Sequence, residues 1–368
     1  MDRRKTFIIL LTVGALLLLT PFVYQQVTGP SDPILPHTAE YFPAQDPVTG
    51  KWGFIDNKGK ALTPMVFDWA GDFRQGRGLA EITDKGSSMM GYIDAFFEKT
   101  GEWAISPRFM LRDTADQPAF GFFDGRALVR DDSGKWGYID TTGKWIIEPR
   151  FPEARDYPGI PAGDFSDGLA WFQVVEMSER YVIDENDDMV RDEEGKPVME
   201  AYPCRQVGYI NRKGKVVIEP RYEMAHDFGE GLAGVRIKSH DRWGFINKDG
   251  SRVISPEFDQ VGRFSEGLCA VSKNGVWGYI DLKGKEVIEH RFDEARQFLD
   301  GIAAARTGDK WGYIDPKGEW VIRPTYDNFD DYAHPGDPRP FENGLARVTL
   351  NGEQIYINRQ GEQVWPIK

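Results

Sequence analysis

One hexapeptide recurs along the whole chain. Lys51-Trp52-Gly53-Phe54-Ile55-Asp56 returns as Lys135-Trp136-Gly137-Tyr138-Ile139-Asp140, Arg242-Trp243-Gly244-Phe245-Ile246-Asn247, Val276-Trp277-Gly278-Tyr279-Ile280-Asp281 and Lys310-Trp311-Gly312-Tyr313-Ile314-Asp315. Degenerate copies lie at Met90-Gly91-Tyr92-Ile93-Asp94, Val207-Gly208-Tyr209-Ile210-Asn211 and Gln354-Ile355-Tyr356-Ile357-Asn358. The Trp-equivalent positions of these eight copies are separated by 38, 46, 71, 36, 34, 34 and 43 residues. A fixed period with variable insertions means that one supersecondary unit is stacked many times, so residues 40–368 need no second domain.

Each unit reads as β-structure. The Asp or Asn that ends the Trp-Gly segment is followed two residues later by Gly, as in Asp281-Leu282-Lys283-Gly284, which is turn chemistry: the Asx side chain bonds the backbone ahead and Gly accepts a positive φ. Pro316 fits the second turn position because its φ is already fixed. A β-branched run follows, such as Val216-Val217-Ile218, and Pro149, Pro220, Pro256 and Pro324 are expected to end it by withholding an N–H. A third segment opens with Phe-x-acid-Gly-Leu-Ala, as in Phe228-Gly229-Glu230-Gly231-Leu232-Ala233, and returns through Asn274-Gly275 or Ser133-Gly134. The expected unit is therefore a three-stranded antiparallel meander. Strand alternation puts Trp and Tyr on one face and Gly and Ile on the other, so both faces are packed and neighbouring units must stack. The uneven insertions favour an all-β, open, curved, solenoid-like array of about eight units; a closed propeller-like ring is the alternative.

The recurring Lys-Trp-Gly-Tyr-Ile-Asp, Gly-Lys, Val-Ile-x-Pro-x-Tyr-Asp and Phe-x-Glu-Gly-Leu-Ala resemble the WG (KWG) β-repeat family over roughly residues 40–368. The resemblance implies a mostly bacterial module, often attached to a membrane anchor or signal sequence, that binds or scaffolds and has no defined catalytic site. Met90, Val207, Gln354 and Ile355 depart from the pattern, which implies weaker packing or capping in those units.

Residues 6–24 carry no charge and are long enough to cross a bilayer. Arg3, Arg4 and Lys5 precede them and no Lys or Arg follows until Lys51, so the positive-inside rule predicts an N-terminal transmembrane signal anchor over residues 1–24. A Pro-rich tether over 25–39 and an extracytoplasmic repeat region would follow. A cleaved signal peptide, leaving a secreted or periplasmic protein, is the competing reading. The net charge of −13, with no basic block, argues against nucleic acid as a partner.

Catalytic chemistry is sparse. The five histidines, His37, His226, His240, His290 and His334, show no metal-ligand spacing, and no nucleophile elbow or phosphate-binding loop is present, so no cofactor, metal or catalytic residue is expected. Cys269 takes the small-residue place of Ala80, Ala233 and Ala346 and reads as a buried thiol; a Cys204–Cys269 disulfide would require an oxidising compartment. Asp124, Asp167, Glu230, Glu266 and Asp300 recur at one position and would form a ladder of carboxylates, either local hydrogen-bond acceptors or, as in glycoside hydrolases, catalysts. The acidic insertion 176–203 reads as a solvated loop or extended hairpin. Asp184-x-Asn186-x-Asp188 within it resembles the start of a calcium loop, but Met189 and Gly195 stand where Gly and Glu belong.

The tryptophans divide into two sets. Trp52, Trp136, Trp243, Trp277 and Trp311 recur at one place and are expected in the stacked core. Two residues after the turn Gly stand Ala61, Trp103, Trp145, Val216, Arg252, Glu286, Trp320 and Gln363. A position that accepts Arg, Glu and Gln faces water at least in part, so Trp103, Trp145 and Trp320 are candidate ligand-binding platforms for a sugar ring or peptide, or else covers for strand edges. The sequence thus predicts a membrane-anchored, non-enzymatic binding or scaffolding module whose partner is a protein or a cell-wall component. The alternatives are a cell-wall glycan-active enzyme using the ladder carboxylates and a structural spacer.

Overall fold

The computed structural model describes residues 41–94, 97–110, 120–152, 161–181, 191, 194, 196–238, 241–327, 341–342 and 344–366. Among them lie eight small antiparallel sheets in sequence order. The sixth shows the plan: Gln260–Val261, Leu268–Lys273, Val276–Asp281 and Glu286–Phe292 pair in that order. The second, fifth and seventh sheets also have four strands. The expected meander supplied only three, because the first strand, here two residues long, is too short to leave a hydrophobic period.

The turns follow their chemistry. Asp281 Oδ1 accepts hydrogen bonds from the Lys283 and Lys285 amides at 2.9 Å, and Gly284 has φ +83°. The expectation that proline ends the next strand is corrected. Trp145–Pro152, Val216–Tyr222, Arg252–Phe258 and Trp320–Asp327 all run through their Pro by means of a bulge. In the sixth sheet Trp277 faces Phe292 while Tyr279 faces Ile288, so three residues of the outer strand arch over Gly278. A Cβ there would sit 2.7 Å from the Ile288 carbonyl oxygen and 2.9 Å from the His290 nitrogen, which is why the Trp is followed by Gly.

Stacking decides the architecture. Each Trp and Tyr packs toward the following sheet and each Ile toward the preceding one: Trp277 and Tyr279 share a core with Ala303, Ala305 and Ile314, whereas Ile280 joins Trp243 and Phe245. Eight sheets in an open row would have seven such joints; there are eight. The eighth joins Leu345 and Tyr356 of the last sheet to Phe42, Ala44 and Ile55 of the first. The expected open solenoid-like array is therefore corrected to a closed, propeller-like ring.

The same hydrogen bond marks internal and closing joints. The hydroxyls of Tyr92, Tyr138, Tyr209 and Tyr279 donate to the carbonyls of Phe120, Gly163, His226 and Arg296 in the next sheet, at 2.6–2.8 Å. Tyr356 donates to Pro43 at 2.7 Å across the closure. An arginine on the bulge adds a second tie at the periphery. Arg108, Arg221 and Arg291 lie over the neighbouring Phe109, Tyr222 and Phe292 rings and donate to the turn-Gly carbonyls of Gly143, Gly250 and Gly318.

The expected acidic insertion begins within a long ribbon. Leu169–Tyr181 and Met199–Asn211 pair continuously from Leu169 opposite Asn211 to Tyr181 opposite Met199. The calcium-like Asp184-x-Asn186-x-Asp188 lies outside the described residues. Cys204 and Cys269 are both free thiols.

The single-pass membrane placement is also corrected. No helix among the described residues is long and apolar enough to cross a membrane, so neither the transmembrane helix nor the location built on it is retained. The segment 6–24 and the tether 25–39 lie outside the described residues.

Candidate functional site

A closed ring of sheets leaves its innermost backbone around a central channel, and sequence sets what faces it. The residue just before the Phe of each Phe-x-acid-Gly-Leu-Ala segment lies at the inner end of its sheet. This place holds Asp72, Gly121, Asp164, Asp227, Arg263 and Gln297, while the following Phe122, Phe165, Phe228, Phe264 and Phe298 are buried between sheets. The repeat thus holds its inner turn rigidly and varies the one side chain beside it.

A cavity of about 570 Å³ opens here. Its wall draws on Tyr41 and Phe42 of the first sheet, Asp72, Phe73 and Arg74 of the second, Gln260 to Arg263 of the sixth, Ala295 to Gln297 of the seventh, and Glu342, Arg347 and Tyr356 of the eighth. Tyr41 and Phe73 stack with ring centroids 4.3 Å apart. The volume falls within the range of ligand-binding clefts, and a mixed aromatic and charged lining is what such clefts use for contact area and orientation.

The charges are unevenly matched. Arg74 Nη1 and Nη2 meet Glu342 Oε1 and Oε2 at 3.0 and 3.1 Å, a bidentate pair between the second and eighth sheets. Burial, with the nearby Asp227 charge, pushes Asp164 up to about 7, while Arg74 and Arg263 act in the opposite sense. Burial also raises Asp227 to about 6, against the pull of Arg263 and a hydrogen bond from Trp171. The Oδ1 atom of Asp227 is enclosed without a hydrogen-bond partner. Arg296 is held by Glu294 at 3.0 Å and lies over Trp311.

The ladder carboxylates have a different job. Asp124, Asp167, Glu230, Glu266 and Asp300 all have φ between +50° and +55° and head tight turns completed by a positive-φ Gly. Each side chain reaches to the next sheet and accepts the amide hydrogen of the Gly one unit on: Gly168 at 2.8 Å, Gly231 at 2.7 Å, Gly267 at 2.9 Å, Gly301 at 3.0 Å and Gly344 at 3.1 Å. Gln75 does the same for Gly125 at 2.7 Å. An amide serving equally well shows that the position requires an acceptor rather than an ionisable acid. No group of three or more metal-ligating side chains occurs among the described residues.

The tryptophans fall as two sets. Trp136, Trp243, Trp277 and Trp311 are buried between sheets, while Trp52 is half-buried. Trp103, Trp145 and Trp320 are also half-buried and lie on three different sheets, the second, third and seventh, so the fold does not bring them together. Each packs on the core of the joint with the preceding sheet. Trp103 meets Phe67 edge-on at 5.6 Å, Trp320 meets Phe292 at 5.8 Å, and Trp145 covers the cluster around Ile105 and Phe109. Sequence reasoning passed over the channel position, although its signal is present: within an otherwise apolar, repeated motif, one place alternates among Asp, Gly, Arg and Gln.

Three solved structures resemble the chain at low identity. The crystal structure of BamB from Moraxella catarrhalis has a TM-score of 0.38 and 12% identity, covering 88% of this chain and 96% of that one. YCF48 bound to D1 peptide has a TM-score of 0.37 and 10% identity, over 74% of this chain and 86% of that one. Kluyvelomyces marxianus Hsv2 has a TM-score of 0.40 and 9% identity, over 77% and 87%. No curated protein sequence matches. The WG containing repeat matches at residues 52–85, 136–174, 208–239, 243–277, 277–311 and 311–335, more than half of the chain. By its sequence motif and by the stacked sheets that the motif builds, this chain belongs to the WG repeat family.

Proposed function

We propose that the protein is a non-catalytic binding scaffold that receives a segment of a protein partner in its central cavity. The observation that carries this reading is the cavity wall: five sheets contribute to it, and its side chains vary at the place where the repeat is otherwise fixed. The carboxylate ladder supports it from the other side, because its members tie each sheet to the next and do not face one another across a cleft. A glycosidase needs two carboxyl groups flanking one bond.

Photo-crosslinking from two positions tests the proposal. A photoreactive residue in place of cavity-lining Gln297 is expected to yield a discrete crosslinked protein in the native cells, and one in place of rim-exposed Lys283 is not. Absence of any product from position 297 would favour the spacer. Glycan turnover that disappears in Asp167→Asn or Glu230→Gln would replace the scaffold with an enzyme.

A further inference from the structure

Among the described cations that line the cavity, Arg263 stands apart. Arg74 is engaged by Glu342 and Asp72, and Arg296 by Glu294. The Arg263 side chain makes no hydrogen bond or ion pair among the described residues, and its Nε is buried without a partner. The Asp164 and Asp227 charges reach it only through space. Its alkyl chain packs against Gly229, where a Cβ would come within 2.7 Å of the Arg263 Cγ, so the side chain is held in place by the neighbouring sheet. On the same wall Gln260, at the start of this inner segment, and Gln297, at the equivalent channel place of the next sheet, make no side-chain hydrogen bond among the described residues. Three polar side chains from two adjacent sheets therefore line the cavity, whose wall also includes the stacked pair Tyr41 and Phe73.

A buried donor without an acceptor, here the Arg263 Nε, is costly, and a guanidinium is shaped to hold a carboxylate through two parallel N–H bonds. Amide side chains add donors of the same sense. We infer that Arg263, with Gln260 and Gln297, binds a carboxylate of the partner segment, while the Tyr41 and Phe73 wall takes its apolar portion. This rests on the cavity being the peptide-binding site and adds the chemistry of what enters it. A carboxylate reaches a cavity of this size either as the C-terminus of a chain or as an Asp or Glu side chain.

The test uses the full chain and N-acetylated tetrapeptide libraries prepared both as free acids and as C-terminal amides, read by affinity selection and mass spectrometry. Retention of free acids of many sequences, with their amides lost, identifies a C-terminal carboxylate. Retention of Asp- or Glu-containing members in both forms identifies a side chain. Either way, Arg263→Gln is expected to weaken the retained peptides by about tenfold or more, the effect of losing a charge-assisted pair. Arg263→Lys, which keeps the charge without the fork, should recover only part of this. If Arg263→Gln fails to fold, the exposed Gln260→Ala and the half-buried Gln297→Leu variants carry the test, each expected to weaken binding several-fold. Peptides retained without regard to carboxylates, or with unchanged affinity in these variants, overturn the carboxylate assignment and leave the cavity as a peptide site. Retention of no peptide from either library overturns both.

Discussion

The joint between the sixth and seventh sheets and the joint that closes the ring are built on one plan with different amounts of material. The first encloses eleven buried residues, among them Trp277, Phe292 and Phe298; the closing joint encloses five, Phe42, Ala44, Ile55, Leu345 and Tyr356. Both have the tyrosine bond, Tyr279 to Arg296 and Tyr356 to Pro43. The sixth–seventh joint adds the rung from Glu266 to Gly301 and the tie from Arg291 to Gly318; the closing joint adds a 3.4 Å contact from Trp365 Nε1 to the Gln45 carbonyl and an edge-on pair of the Phe42 and Tyr356 rings at 5.7 Å. Neighbours linked by the chain thus have the fuller set of contacts, and the two sheets that must find each other across the whole ring have the smaller. The tyrosine bond is what these two joints share; Phe54 and Phe245 stand at its place in the first and fifth sheets, where packing aligns the joint without it. The closing joint is accordingly where the ring should open first.

Four substitutions break or sharpen this contrast. The largest effect is expected for Trp277→Ala, which empties the centre of one of the two richest joints and should cost about 3 to 5 kcal/mol in denaturant unfolding. A loss below about 1 kcal/mol would show that the joint is held by its ties instead of its core. Tyr356→Phe should cost less, about 1 to 3 kcal/mol, by leaving the Pro43 carbonyl without its donor. Its signature is positional: hydrogen exchange should accelerate over residues 42–55 and 345–358, and Tyr279→Phe should leave those segments unchanged. Equal acceleration at every joint in both variants would refute a preferred seam. Glu266→Ala should be the mildest, about 0.5 to 1.5 kcal/mol for one partly exposed hydrogen bond. If it proves as damaging as Trp277→Ala, the rungs are primary supports of the joints they span.

Much of this was legible in the sequence because it depends on neighbouring residues. The Asp-x-x-Gly turns, the alternation of Trp and Tyr against Ile, and the small place occupied by Cys269 are local matters, and each is found where chain chemistry puts it. Closure is not local. It depends on the angle accumulated over eight joints, and no single unit encodes it; the uneven spacing between units, which suggested an open row, is absorbed by features such as the ribbon Leu169–Asn211 that extend from a sheet without altering its packing. The prolines were expected to stop a strand where an N–H is missing, whereas the missing donor of Pro149, Pro220, Pro256 and Pro324 falls on the arch over Gly137, Gly208, Gly244 and Gly312. The same bias hid Arg263. Recurrent residues attract notice, and the binding wall is made where recurrence lapses.

The closing joint has one further property. The first sheet, Phe42–Gln45 with Trp52–Ile55, and the last, Leu345–Leu350 through Gln363–Trp365, each consist wholly of consecutive strands, and no strand passes from one sheet to the other. Every sheet is therefore complete in itself, and the order of the eight around the ring does not depend on where the polypeptide is interrupted. Topologically, the break in the backbone could be moved to any other joint and the present gap bridged by a short linker, giving circular permutants with the same channel and the same wall.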